Sequence, residues 1–485
     1  MSFFYELADQ YIDGEWRTGT GSWDIIDFNP YNGEKLASIT IATTQEVDQA
    51  YRAAERAQRS WAGTGPGERR GVLERALRIT EEMRDGIVEA IVDELGGTRL
   101  KAEYEVRVAR DFLRDAIRQT VRPLGRLLPS PVDGKENRVH RQPVGVIGLI
   151  TPFNYPFLAA MKSVAPALAL GNAVVIKPHQ YAPVVGGGLI AKIFEDAGLP
   201  AGLLNILITD VAEIGDAFIE HPVPRVISFA GSDRAGRQVA ATAAGHFKRT
   251  ILELSGNSAL VVLDDADIDH AVDAAVLSRF VYQGQVGMAA NRILVDRCVE
   301  GEFTEKFTAR VAALRTGDPR DPGTRIGPVN DTFQADALNA LVDQAVAEGA
   351  TALVRGDTCG TLVGPTVLTG LREDSPLLSQ EIFGPVALLV TFDGEDEAVR
   401  IANDPPYGLS GAVHTRSTER GVRFAQRVAG GVFHVNGSTV QDDPLVVLGG
   451  EESSGAGRLN DGAAVDAFTV QRWMSIQHGR SEFPF

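Results

Sequence analysis

Between residues 144 and 254, short apolar runs alternate with stretches of helical periodicity, and this alternation constrains the fold more than any other feature. Val144–Ile150, Ala173–Ile176, Leu204–Ile208, Val226–Phe229 and Ile251–Leu254 each read as a buried strand, with helical patterns at Pro183–Ala197 and Ala235–Ala244 between them. Such alternation predicts a parallel sheet with helices on both faces. A second alternating region follows, with helices near Ile268–Phe280 and Gly301–Leu314 and strands near Arg292–Val295, Val386–Phe392 and Gly431–Val435. It reads as another α/β domain. Thr44–Trp61 and Glu68–Leu95 have apolar residues at helical spacing and read as amphipathic surface helices. Asn137–Pro143 is polar and extended, and pairs in this reading with the tail after Asp466 as a small sheet or arm.

The length of 485 residues allows two to three domains. A net charge of -17 opposes binding to nucleic acid and to anionic membranes. Two cysteines, Cys298 and Cys359, exclude a disulfide framework and a multi-cysteine metal site. Met1–Glu6 carries no basic region followed by an apolar run, so it does not read as a secretory signal. The most apolar region, Val144–Ile176, is interrupted by Asn154, Pro156, Lys162, Pro166 and Asn172, so no stretch reads as a membrane span. The expectation is a soluble, cytoplasmic protein.

Several short motifs can carry chemistry. In Phe229–Gly236 a strand ends, Gly231 turns the chain and a helix begins, which offers free N–H groups and a positive dipole end to phosphate. The same pattern also describes an ordinary strand–helix turn. Lys177 closes a buried strand, where open α/β sheets bind ligands, and reads either as a ribose or phosphate contact or as a surface lysine. Glu253 lies beside a buried strand, where a carboxylate can act as a general base or be structural. Asn154, within Pro152–Pro156, is a rigid amide that suits an oxyanion hole, or else caps the following helix. Glu381–Pro385 sets an acid beside an aromatic ring at a turn.

In combination and order, Asn154, Lys177, the Gly231–Gly236 turn, Glu253, Gly284–Met288, Glu381–Pro385, Tyr407-Gly408-Leu409, Asn436 and Ser454–Arg458 resemble the NAD(P)-dependent aldehyde dehydrogenases over nearly the whole chain. Lys177–Gln180 and Gln283–Arg292 are most similar to members acting on aromatic aldehydes of the benzaldehyde and vanillin type. The resemblance implies a Rossmann-type cofactor domain, an α/β catalytic domain and a small bridging β-sheet. It implies a cofactor domain over 1–122 and 144–255, a catalytic domain over 256–455, and bridging or oligomerisation segments at 123–143 and 456–485. It further implies an aldehyde substrate, NAD or NADP as cofactor, and a homodimer or homotetramer. In this family a thiolate attacks the aldehyde, hydride passes to the nicotinamide, and a glutamate activates the water that releases the acid. Asn154 resembles the oxyanion donor and Glu253 the general base. Lys177 resembles the adenine-ribose contact, Ser232 a pyrophosphate contact, and Glu381 the nicotinamide-ribose partner with Phe383 beside it.

Three departures stand out. Gln180 replaces a glutamate that would bind the ribose hydroxyls and repel a 2′-phosphate, so NADP enters as an expected cofactor. Val447-Leu448-Gly449-Gly450 replaces the usual Pro-Phe-Gly-Gly, so the substrate mouth is expected to differ. Gly287 occupies the position of the nucleophilic cysteine, and a glycine forms no covalent intermediate. Three accounts follow: a deliberately replaced nucleophile, a natural thiol-free enzyme using Glu253-activated water, or a non-catalytic NAD(P)-binding protein. Lys162, at helical spacing from Asn154, either faces the aldehyde and favours anionic or phenolate groups, or points to solvent or makes an ion pair.

Overall fold

In the computed structural model, which describes residues 7–122, 125–480, 483 and 485, the five central apolar runs become neighbouring strands of one sheet. Met1–Glu6 lies outside the described residues. Eight strands lie in the order Glu15–Arg17, Gln10–Ile12, Leu204–Ile206, Ala173–Lys177, Val146–Ile150, Pro224–Ala230, Arg249–Glu253 and Gly455–Ala456. The five from Leu204–Ile206 to Arg249–Glu253 run parallel, with Leu149 opposite Ile176 on one side and Ser228 on the other. Val174, Val175 and Ile176 are fully buried, as expected for strands covered on both faces.

From Val146–Ile150 the chain steps outward through Ala173–Lys177 to Leu204–Ile206, then returns to lay Pro224–Ala230 on the opposite side of its starting strand. Strand order therefore reverses between Val146–Ile150 and Pro224–Ala230. The loops beyond the carboxyl ends of those two strands diverge and leave a crevice, where open α/β sheets bind ligands.

A second sheet has seven strands, in the order Thr351–Arg355, Thr366–Thr369, Val386–Phe392, Ala290–Asp296, Ser258–Val262, Gly411–His414 and His434–Val435. All but the first run parallel. The third sheet pairs Thr469–Gln477 with Lys135–Pro143, and Lys135–Pro143 with Gly125–Leu128, all antiparallel. No helix among the described residues is long and apolar enough to cross a membrane.

Two helical expectations change. Glu68–Leu95 is not one helix but two, Pro66–Glu82 and Arg84–Leu95, broken at Met83 (φ -87°, ψ 1°). Pro183–Ala197 opens with a π-turn at Val184–Gly188 before Leu189–Asp196 becomes α-helical. The buried Glu94 carboxylate accepts hydrogen bonds from the Val184 and Val185 N–H groups, both at 2.8 Å. A Cβ on Gly188 would stand 2.0 Å from the Leu7 carbonyl oxygen, so only glycine lets the chains pass there.

Candidate active site

The crevice continues into a cavity of about 680 Å³. Nine of the residues that the sequence singled out line it: Asn154, Lys177, Gln180, Gly231, Ser232, Glu253, Gly287, Glu381 and Phe383. Lys177 closes its strand, and Gly231 follows the end of Pro224–Ala230 with its N–H donating to the Glu253 carbonyl at 3.1 Å. Ser232 caps the helix Asp233–Gly245, accepting from the Ala235 N–H at 3.3 Å. Phe383 stands edge-on to Phe153, ring centres 5.8 Å apart. Asn436 belongs elsewhere: its side chain accepts from the Thr415 N–H and it does not line the cavity.

Asn154 precedes the helix Pro156–Ala169 and reaches across the cavity, its Nδ2 donating to the Gln285 carbonyl at 3.0 Å. That bond places the amide two residues from Gly287. The intervening loop takes an unusual path, because Tyr282, Gln283 and Gly284 are consecutively left-handed (φ 50°, 47° and 73°). For the two non-glycine residues this costs about 1–2 kcal/mol each. Buried hydrogen bonds offset the strain. Tyr282 Oη donates to the Leu95 carbonyl at 3.0 Å, and Gln283 Nε2 donates to the Pro328 carbonyl at 2.6 Å. Arg279, fully buried, donates from Nη2 to the carbonyls of Gly284 (2.8 Å), Ile382 (3.0 Å) and Gly384 (2.7 Å). One guanidinium thus ties the loop carrying Gly287 to the loop carrying Glu381. Burial pushes its pKa down to about 9, with Glu381 acting against the shift.

The Gly287 backbone lies outside the left-handed region. A Cβ built there would meet Leu409 Cδ2 at 3.4 Å, the Leu254 carbonyl oxygen at 3.5 Å and Glu381 Oε1 at 3.8 Å, all ordinary contacts. Neither conformation nor space requires glycine. The neighbouring Gly256 is different, since its Cβ would stand 2.3 Å from the Gly287 carbonyl oxygen. Glu381 Oε1 accepts from the Gly256 N–H at 3.0 Å, and burial raises its carboxyl pKa. Cys298 and Cys359 are both exposed and neither lines the cavity.

Glu253, the last residue of its strand, is not free. Its Oε1 lies 2.7 Å from Lys162 Nζ, and the same ammonium lies 3.1 Å from Asp442 Oδ2. Burial works to lower the Lys162 pKa, but the carboxylates of Asp442 and Glu253 reverse this and hold it above the ordinary lysine value. Lys162 therefore both faces the cavity and makes an ion pair. The sequence could not pair it with Asp442, which lies 280 residues further along. Two other features also lacked a sequence signal: Arg279, and Lys101, whose ammonium sits 4.6 Å from the Tyr155 ring centre and 4.4 Å from that of Tyr282.

The aldehyde dehydrogenase family profile matches residues 16–474. The chain belongs to the aldehyde dehydrogenase family. Among its family relatives, benzaldehyde dehydrogenase YfmT of Bacillus subtilis is 49% identical over 485 residues, covering 100% of both chains. A salicylaldehyde dehydrogenase from Pseudomonas putida G7, solved with salicylaldehyde, superposes with a TM-score of 0.95 at 34% identity, over 98% of this chain and 99% of that one. An NAD-dependent benzaldehyde dehydrogenase from Corynebacterium glutamicum gives a TM-score of 0.91 at 39% identity, covering 100% of both.

Proposed function

We propose that the cavity binds NAD or NADP together with an aromatic aldehyde, in the arrangement that oxidises the aldehyde to its acid, with the covalent route closed at Gly287. The observation that carries this reading is the convergence of the Asn154 amide, the Glu253 carboxylate and a backbone at 287 able to hold a side chain. The dinucleotide fits the remaining cavity. The N-terminus of Asp233–Gly245 faces it with the positive end of the helix dipole for a pyrophosphate, and Lys177, Gln180, Glu381 and Phe383 line it as ribose and ring contacts. The chemistry such a bound dinucleotide would supply is a hydride acceptor for the substrate carbon. Asn154 donates to the carbonyl oxygen as negative charge develops there. Where a thiol stands at 287, as in the Gly287→Cys variant, Glu253, once released from Lys162, takes a proton from the water that adds to the acyl carbon and releases the acid. Tyr104, Tyr155 and Leu158 give the aldehyde end an aromatic and apolar wall, which suits a ring and agrees with the substrates named for the relatives.

NAD(P)H formation over benzaldehyde, vanillin, salicylaldehyde and aliphatic aldehydes, by this chain and its Gly287→Cys variant, tests the reading. The variant is expected to gain about three orders of magnitude or more, with aromatic substrates preferred. Turnover by the parent that is abolished in Glu253→Gln, with no gain from the cysteine, would instead assign it thiol-free chemistry. Dinucleotide binding without turnover in either chain would make it a binding protein.

On the same reading, 1–122 and 144–255 form the cofactor domain, 256–455 the catalytic domain, and 123–143 with 456–485 the bridging segments. The small sheet leaves Leu127, Leu128, Trp473 and Met474 exposed, which supports a homodimer or homotetramer built on it. Light scattering of the purified chain measures that mass.

A further inference from the structure

Lys177 and Asp210 come from the carboxyl ends of adjacent parallel strands. Ala173–Lys177 pairs with Leu204–Ile206, and the Leu207 N–H continues the ladder to the Ile176 carbonyl at 2.8 Å. Both side chains are half-buried and line the cavity beside His179 and Gln180. Among the described residues neither forms an ion pair. One Asp210 oxygen caps a short helix, accepting from the Ala212 N–H at 2.6 Å. The other has no protein partner among the described residues.

The charges there can be counted. Lys177 supplies one positive charge and Asp210 one negative charge. His179 adds none at neutral pH, because burial first, and then the Lys177 charge, push its pKa down to about 4. A second carboxylate, Asp216, lines the same cavity and is held by Thr242 Oγ1 at 3.1 Å and by Gln238. This end of the cavity thus has no surplus positive charge. A ribose 2′-hydroxyl can donate to a carboxylate oxygen. A 2′-phosphate, carrying roughly -1.5 to -2 at neutral pH, cannot donate and is repelled.

We propose that Asp210 is the residue that selects NAD over NADP, doing from the neighbouring strand what the uncharged Gln180 cannot do from its own. The inference rests on the dinucleotide reading above. It revises the expectation drawn from Gln180 alone, that NADP is accepted.

Equilibrium binding decides it without any turnover. NAD+ and NADP+ are titrated into the chain as it stands and into Asp210→Asn, by calorimetry at low and high salt. Asparagine caps helices as well as aspartate does, so the Ala212 contact survives while the charge is lost. Asp210→Ser, a second capping residue without charge, guards against an effect peculiar to the amide. The parent is expected to bind NAD+ about tenfold or more tighter than NADP+. In both variants the gap narrows about tenfold or more, through tighter NADP+ binding and weaker NAD+ binding. The NADP+ gain shrinks at high salt, where charges are screened. A ratio unchanged in the variants, or equal binding of both dinucleotides by the parent, overturns the role of Asp210 while leaving the cofactor reading intact. Binding of neither dinucleotide overturns both.

Discussion

Replacing Lys162 with methionine probes the centre of the site, because it keeps the aliphatic bulk and removes the charge shared by Glu253 and Asp442. At an effective dielectric of about 20, contacts of this length carry roughly 5–6 kcal/mol of gross attraction each. Desolvation of the three groups offsets most of it. Removing one partner of a buried pair nonetheless costs about 3–5 kcal/mol, because it strands the charges left behind. The Lys162 side chain is 3% exposed and that of Asp442 7%, but Glu253 keeps 23% and some access to water. The expected loss is therefore at the lower end, about 3 kcal/mol. Urea unfolding of the parent, Lys162→Met, Asp442→Asn and the double variant at pH 7 measures this. The double variant is expected to lose less than the sum of the singles. A loss under about 1 kcal/mol at pH 7, or a double variant that loses the full sum of the singles, would refute the reasoning.

Three further outcomes follow from the same structure. Arg279→Met orphans carbonyls in two loops and is expected to cost at least about 3 kcal/mol, with proteolysis appearing first in residues 281–288 and 381–384; equal protection of both loops would count against the tie. Gly256→Ala forces the Gly287 carbonyl aside and is expected to cost about 1–3 kcal/mol and weaken aldehyde binding, read by denaturation and by calorimetry with benzaldehyde. Burial lowers the pKa of His414 to about 4, so the unfolded chain binds the extra proton between about pH 6.5 and 4. Stability present above that window is lost as pH falls through it, by up to about 3 kcal/mol, and His414→Gln is expected to flatten that part of a denaturation profile.

The parallel sheets were legible because burial on both faces leaves an uninterrupted apolar signature, as at Val174–Ile176. The nine cavity residues were legible through motif order, since each stands at or just beyond a strand end or in a loop between elements. What joins them was not legible. Asp442 finds Lys162, and Arg279 finds Gly284, Ile382 and Gly384, only after the chain has folded, and no local pattern records such pairings. The break at Met83 was hidden for another reason: it interrupts the helix without glycine or proline, so the apolar periodicity runs through it. Gln180 is uncharged in the sequence, but the charge beside it, Asp210, follows another strand.

The path of residues 281–288 depends on Arg279, on hydrogen bonds to Leu95 and Pro328, and on the close approach of Gly256; none of these passes through a side chain at 287. Position 287 is thus mechanically silent. A small side chain there meets only ordinary contacts, so its exchange is expected to leave melting behaviour nearly untouched while the chemistry open to the molecule changes. Selection that acts through folding alone is blind to such an exchange, and a chain can acquire a side chain at this point in a single step.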